Sequence, residues 1–391
     1  MTYSVQSPDF GDTSSARSRR RLTITAIGAS ALALGAAGCS DDAAYLARGD
    51  QGPRVYELYQ YLRTYGYFPN PELRAYAGWE PAITEEPANP EVFDEVLERA
   101  LVTFQQAYGL PVDGVLNEPT LKLMKTPRCG FPDTRVGSRR PSATSSFNPS
   151  GSKWPSWSIS YSYSNFTSDL PAGTTQAAID GAFARWAAAS GLSFPLVGYG
   201  NIAIGFYEGD HGDGYPFDGP NNVLAHAFYP AYGGHVHFDD AETWSTDGSG
   251  FDVATVAVHE IGHALGLAHS DVSDAVMWTY YSGIRRDLAA DDVAGIQAIY
   301  LRAPNPIQRI PEYCQGLNVI TWTAQPGATS YELYQSTSSS FTSPTLIYSG
   351  PSTDYEVNTP ATRYFRARSC NNLGCSDYSS QVSSLYYPGC L

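Results

Sequence analysis

Apolar residues recur at three- and four-residue steps in Val55, Leu58, Tyr59 and Leu62, and again in Leu97, Leu101, Phe104 and Ala107. That is the period of helices with one face turned to a core. A Pro- and Glu-rich insert around residues 81–90 separates the two, the turn Gly109–Gly114 follows, and residues 119–124 begin a third helix. Residues 51–126 are therefore expected to form an all-α unit. The pattern lapses over residues 134–153 into Ser, Arg, Gly and Pro, a linker open to proteolysis. From Trp154 helix and strand signals mix. Ile159, Tyr161 and Tyr163 alternate with serines as a strand does, Thr174–Ser190 carries a helical face of Ala178, Ile179, Phe183 and Trp186, and residues 202–206, 223–228 and 235–238 read as further strands. Helices are predicted over about 252–267 and 290–300. After Pro304 only period-two alternation remains, in Val319–Trp322, Ser330–Tyr334 and Arg363–Arg368, which predicts an all-β sandwich over residues 305–391.

The amino terminus does not join this scheme. Ser18-Arg19-Arg20-Arg21 leads into an uncharged stretch, Leu22–Gly38, that ends at Cys39. A basic region, a short apolar region and small residues at its end make residues 1–39 an export signal. The stretch is weakly apolar and short of the roughly 20 apolar residues of a membrane span. Its arginine pair resembles a bacterial twin-arginine signal, and Ala36-Ala37-Gly38-Cys39 resembles a lipoprotein processing site that would leave a lipid anchor on Cys39. An ordinary secretory signal with an incidental cysteine is the alternative. Four further cysteines, Cys314, Cys370, Cys375 and Cys390, fall in the last 80 residues and suggest two disulfides with three possible pairings. The turn-like segment between Cys370 and Cys375 favours pairing these two, leaving Cys314 with Cys390.

Composition sharpens the central region. The chain has 24 basic and 39 acidic side chains, a formal charge of −15, and its only lysines are Lys122, Lys125 and Lys153. That balance argues against nucleic acid as a partner, because phosphate binding needs clustered Lys and Arg. All seven histidines fall between His211 and His269. In His259-Glu260-Ile261-Gly262-His263, helical spacing sets two imidazoles on one face, and Gly266 lets the chain turn so that His269 returns as a third ligand. Three ligands leave a position for water, the arrangement of a catalytic zinc, with Glu260 beside it as general base.

The full pattern H-E-x-x-H-x-x-G-x-x-H, followed by Met277, resembles the metzincin proteases, in which a methionine turn underlies the zinc. More specifically, residues 54–303 are similar to the matrixin family, the matrix metalloproteinases. Pro127-Arg128-Cys129-Gly130-Phe131-Pro132-Asp133 resembles that family's cysteine switch and departs from it only at Phe131, where Val is usual. The resemblance implies that Cys129 occupies the fourth position of a latent enzyme, that Arg128 pairs with Asp133, and that cleavage of the linker, near Arg139-Arg140, releases the thiol. It implies an α+β metzincin catalytic domain with a mixed twisted sheet over residues 154–303. It also implies a structural zinc held by His211, Asp213, His226 and His237, a closed shell of the structural type. A calcium would be held by Asp218, Asp239 and Glu242 with the backbone carbonyls of Gly219, Asn221 and Val223. Two departures stand out. The segment between His226 and His237 is two residues short, and His235 replaces an aspartate, which leaves a second calcium in question and His235 unassigned.

The flanks resemble other modules. Residues 51–126 look like the matrixin prodomain, itself similar to bacterial peptidoglycan-binding domains, and residues 305–391 look like a fibronectin type III module, either polymer-binding or a spacer. The expected protein is an exported, latent zinc metalloendopeptidase that acts on extracellular proteins, a secreted or surface-anchored product of a bacterium. The rival is a cell-surface adhesion or peptidoglycan-binding protein with a vestigial protease domain.

Overall fold

The computed structural model describes residues 45–75, 79–133, 150–305, 307–311, 317–359 and 361–384. The export segment with Cys39, the linker residues 134–149, and Cys314 and Cys390 lie outside the described residues.

Three helices build the first unit: α1 (Pro53–Thr64), α2 (Glu95–Ala107) and α3 (Glu118–Met124). Proline opens α1 where its missing N–H costs nothing. The side chains of Asp94 and Asn117 cap the other two by accepting the amides of Leu97 and Thr120. Leu62, Leu97, Leu101 and Phe104 are fully buried, and each such side chain contributes about 1.5–3 kcal/mol. The insert between α1 and α2 includes a 3₁₀ turn, Pro71–Ala75. This core does not close on itself. It takes in Tyr280, with Trp278 and Val223 packed beside it, from the region beyond the linker.

The central region holds a five-stranded sheet of β1 (Arg128–Cys129), β2 (Tyr161–Tyr163), β3 (Ile202–Tyr207), β4 (Val223–Ala227) and β5 (Val236–Asp239). The strand order is β1-β4-β5-β3-β2, with β4 and β5 antiparallel and the other pairs parallel. The sheet is mixed, as expected, but its β1 edge is the cysteine segment itself, which the sequence pattern does not mark as a strand. Helix α4 (Ala172–Ser190) packs on α5 (Val253–Ala264), where the Trp186 indole N–H donates to Val258 O at 2.8 Å. A short parallel pair, β6 (Trp244–Ser245) and β7 (Phe251–Asp252), feeds α5, and Asp252 caps that helix through the Thr255 amide.

Every residue of α5 is buried. The helix ends three residues before the predicted Leu267, because Gly266 takes φ +106° against the carbonyl of Ser152, where a Cβ would approach to 2.3 Å. The region closes with α6 (Ala290–Ile299). At its other end Ser150 is buried and donates its amide to Gly266 O, so the chain is already seated there before Trp154.

The last region is β-rich. Strands β8 (Ile307–Pro311), β9 (Leu317–Trp322) and β12 (Asp354–Asn358) form one sheet. The other comprises β10 (Ser330–Ser336), β11 (Thr345–Gly350), β13 (Tyr364–Asn371), β14 (Gly374–Cys375) and β15 (Val382–Ser383). Ile320 and Trp322 from the first sheet meet Tyr331, Leu333, Phe365 and Ala367 from the second in one core. Cys370 and Cys375 are disulfide-bonded across the β13–β14 turn, the local pairing that the turn favours. Asn371 ties this region to α6 by donating to Ala298 O at 3.0 Å. Among the described residues no helix is long and apolar enough to cross a membrane.

Candidate functional site

Helix α5 presents His259 and His263 one turn apart, with their Nε2 atoms 3.1 Å from each other. Each ring is held from behind. His259 Nδ1 lies 2.7 Å from Val276 O, and His263 Nδ1 lies 2.7 Å from Leu267 O. A carbonyl only accepts, so both Nδ1 atoms carry the proton and both Nε2 lone pairs face the same point. Two lone pairs at that distance repel unless a cation lies between them. Burial keeps both rings neutral, pushing His259 down to about 4 and His263 well below its ordinary value. The turn at Gly266 brings His269 round, and Cys129 Sγ comes to 3.6 Å from His263 Nε2. The four donor atoms lie within 4.8 Å of one another, and the nitrogen–sulfur set is that of zinc.

Glu260 stands beside this cluster, 1 % exposed, with Oε2 lacking a partner. Burial pushes its carboxyl up to about 8, and the Cys129 thiol lies within hydrogen-bonding reach of it. A cleft opens next to His259 and Glu260, walled by Leu224, Thr255, Val276 and Tyr281.

Met277 supports the cluster from below. It packs on Gly262, where a Cβ would fall 2.3 Å from its sulfur, so any larger residue between the two histidines would displace Met277. Asp292, which motif reading misses, fixes this turn. Its carboxylate accepts the amides of Val276 (2.8 Å), Met277 (3.0 Å) and Ala289 (2.8 Å), and Val276 in turn holds His259. The available signal is a carboxylate in the first turn of α6, the pattern of a helix-capping residue. Asp292→Ala leaves three amides unpaired and is expected to cost about 1–3 kcal/mol, read as a lower denaturant midpoint of the full chain.

The cysteine segment lies extended in the groove between β4 and residues 279–281. Arg128 and Gly130 donate their amides to Asn222 O and Ala225 O, Cys129 donates to Thr279 O, and Tyr281 donates to Pro127 O. The Arg128 side chain is 1 % exposed, pairs with Asp133 at 2.6 Å, donates to Phe131 O and stacks over the Tyr65 ring at 3.5 Å. The buried cation is thus hydrogen-bonded as well as paired, the condition under which such a charge is tolerated.

A second cluster joins β5, β4 and the loop after β3. The Asp213 Oδ2 atom lies 2.8 Å from each of His211 Nε2, His226 Nε2 and His237 Nδ1. His211 spends its Nδ1 proton on Gly209 O, so its Nε2 lone pair points at a carboxylate oxygen. That arrangement again calls for a cation, and three imidazoles with one carboxylate suit zinc. His235 stays apart: its Nδ1 accepts the Ala203 amide at 3.2 Å.

Asp218, Asp239 and Glu242 gather nearby. Burial and then their mutual repulsion push Asp218 up to about 6 and Glu242 up to about 7. Asp239 is fully buried with Oδ2 unpartnered. Three crowded carboxylates suit a hard cation such as calcium. The amides of Asn221, Val223 and Gly219 donate to Glu242, Asp218 and Asp239 and tie the three acids to the loop.

Comparison with known proteins gives two family matches: Matrixin over residues 153–301, and "Putative peptidoglycan binding domain" over residues 51–124. Human neutrophil collagenase is 42% identical over 220 residues, covering 54% of this chain and 45% of the relative. Interstitial collagenase A of Mus musculus is 40% identical over 57% of this chain and 48% of its own length. The chain thus spans about half the length of these collagenases. Human matrilysin is 42% identical over 218 residues, covering 54% of this chain and 78% of the relative.

Proposed function

The chain belongs to the matrixin family, and from that membership and its two donor clusters we propose that it is an exported zinc metalloendopeptidase made as a latent zymogen. Zinc and calcium are its cofactors. The observation that carries the reading is the convergence of Cys129 with His259, His263 and His269 beside the unpartnered Glu260 oxygen. Zinc held by these histidines supplies Lewis-acid polarisation of a peptide carbonyl and lowers the pKa of water toward about 7.

The chain's own groups do the rest. Val276 O and Leu267 O fix the imidazole tautomers, a task that raises ligand basicity as well as orienting the rings. Glu260 takes the proton of the attacking water and returns it to the leaving amine. In the latent chain Cys129 covers this position, and Arg128 with Asp133 anchors the covering loop. Cutting within residues 134–149 frees it. Hydrolysis of a quenched peptide before and after that cut tests the reading. Activity that appears only after cleavage supports it.

The loop of Asp218, Asp239 and Glu242 is the proposed calcium site, and His211, Asp213, His226 and His237 form the proposed structural zinc site. Without calcium the raised pKa values mean that the folded state binds more protons than the unfolded state between about pH 4 and 7. Stability then falls as pH rises through that window. Thermal melts of the calcium-stripped protein are expected to show this fall, and saturating calcium is expected to abolish it.

A second role has one specific support, the peptidoglycan-binding match over residues 51–124. Retention of the Glu260→Ala full chain on purified cell wall would test it. The carboxy-terminal β-rich region is read as a fibronectin type III-like accessory module, and Cys39 as a possible site of lipid attachment.

A further inference from the structure

Phe131 sits two residues beyond Cys129 and is fully buried although it belongs to a loop. Its ring stacks on His263, with centroids 4.4 Å apart and planes 16° apart, and meets Tyr229 edge-on at 4.7 Å. The His269 ring stands 6.0 Å away, nearly perpendicular. Leu73 and Ala268 complete the packing. Leu73 and Phe131 precede the linker; the other four follow it. Departure of the amino-terminal unit therefore uncovers a recess made of two imidazoles, a tyrosine and an alanine, directly against the proposed catalytic cluster.

We propose that this recess is a specificity subsite that takes an aromatic side chain of the substrate, with Tyr229 as its determining residue. The proposal rests on the protease reading of the same site. Two features select for an aromatic group. One wall is an imidazole on which a flat ring stacks, and the other is a tyrosine ring in an edge-to-face contact, so a flat side chain meets both while a branched aliphatic one meets neither fully. The ring also arrives on extended main chain. Gly130, the neighbour of Phe131, donates its amide to Ala225 O of β4, so the ring enters the recess from an extended backbone docked on the sheet edge.

The test uses the linker-cleaved full chain and quenched peptides identical except for Phe or Ala at successive positions on each side of the scissile bond. At one position kcat/KM is expected to favour Phe by about 10-fold or more. Tyr229→Ala should bring that ratio toward one, and Tyr229→Phe should preserve it, with zinc content equal in all three proteins. Equal rates for Phe and Ala at every position, or a ratio untouched by Tyr229→Ala, would overturn the subsite and leave the protease reading intact. Hydrolysis of no peptide at all would overturn both. Because Tyr229→Ala removes a buried ring, calorimetry on the unsubstituted cleaved protein supplies a second readout. The heptapeptide Pro-Arg-Cys-Gly-Phe-Pro-Asp should bind about 10-fold more tightly than its Phe-to-Ala analogue, and equal affinity would contradict the proposal.

Discussion

Glu260→Ala is expected to lower kcat/KM by about 10²–10⁴-fold on any peptide that the linker-cleaved protein hydrolyses, the range lost when a positioned general base is removed. The zinc content should not change, because the proposed donors are His259, His263 and His269 and the first two rings are oriented by groups other than Glu260. His259 leans on Val276 O and His263 on Leu267 O. Folding should survive as well. Among the described residues the glutamate makes no ion pair, and its buried carboxyl, with one oxygen unpartnered, is a cost to the fold that alanine removes. Activity assays paired with metal analysis decide the matter. Full activity in the zinc-loaded variant would remove Glu260 from the mechanism, and loss of zinc would show that its role is structural.

Cys129→Ser is expected to give hydrolysis in the uncleaved chain, where the parent protein gives almost none. A hydroxyl is a far poorer zinc ligand than a thiolate, and each 1.4 kcal/mol lost from the closed form raises the open fraction about tenfold. The effect should be partial, because other contacts still hold the segment. They include the buried Arg128–Asp133 pair, the main-chain bonds to β4 and to residues 279–281, and the Phe131 stack on His263. Adding Arg128→Ala strands Asp133 in a buried site, at a cost of about 3–5 kcal/mol to the closed arrangement. The double variant should therefore be more active before linker cleavage than either single one. Peptide hydrolysis by the uncleaved proteins, with linker integrity checked on gels, measures the series. An inactive double variant that is activated normally by linker cleavage would exclude the thiol and its anchor as the lock.

What could be read from the sequence follows the range of each interaction. His259 and His263 are legible because helical spacing alone sets them on one face, and Gly266 because only a left-handed residue turns the chain there. The helical faces of α1, α2 and α4 are legible for the same local reason. The Cys370–Cys375 disulfide is also local, five residues apart across a turn. Strand β1 is not legible: two residues have no alternation, and they are extended only because β4 and residues 279–281 offer hydrogen bonds on both sides. Asp292 is hidden because its three amides come from two segments, and its position looks like an ordinary helix cap. Of the proposed calcium site, the acids are the legible part. Three acids announce a cation, but their spacing does not say which way each peptide group points. The −15 charge, first an argument about partners, becomes an argument about metal. Residues 150–303 hold 17 acids against 5 bases, and four of those acids belong to the two proposed structural sites.

The most direct test is hydrolysis of a quenched peptide by the linker-cleaved protein before chelation, after chelation, and after return of zinc with calcium kept saturating throughout. Loss of activity on chelation and recovery with about one equivalent of zinc per emptied catalytic site is the predicted result. Hydrolysis that continues in the zinc-stripped protein would contradict it.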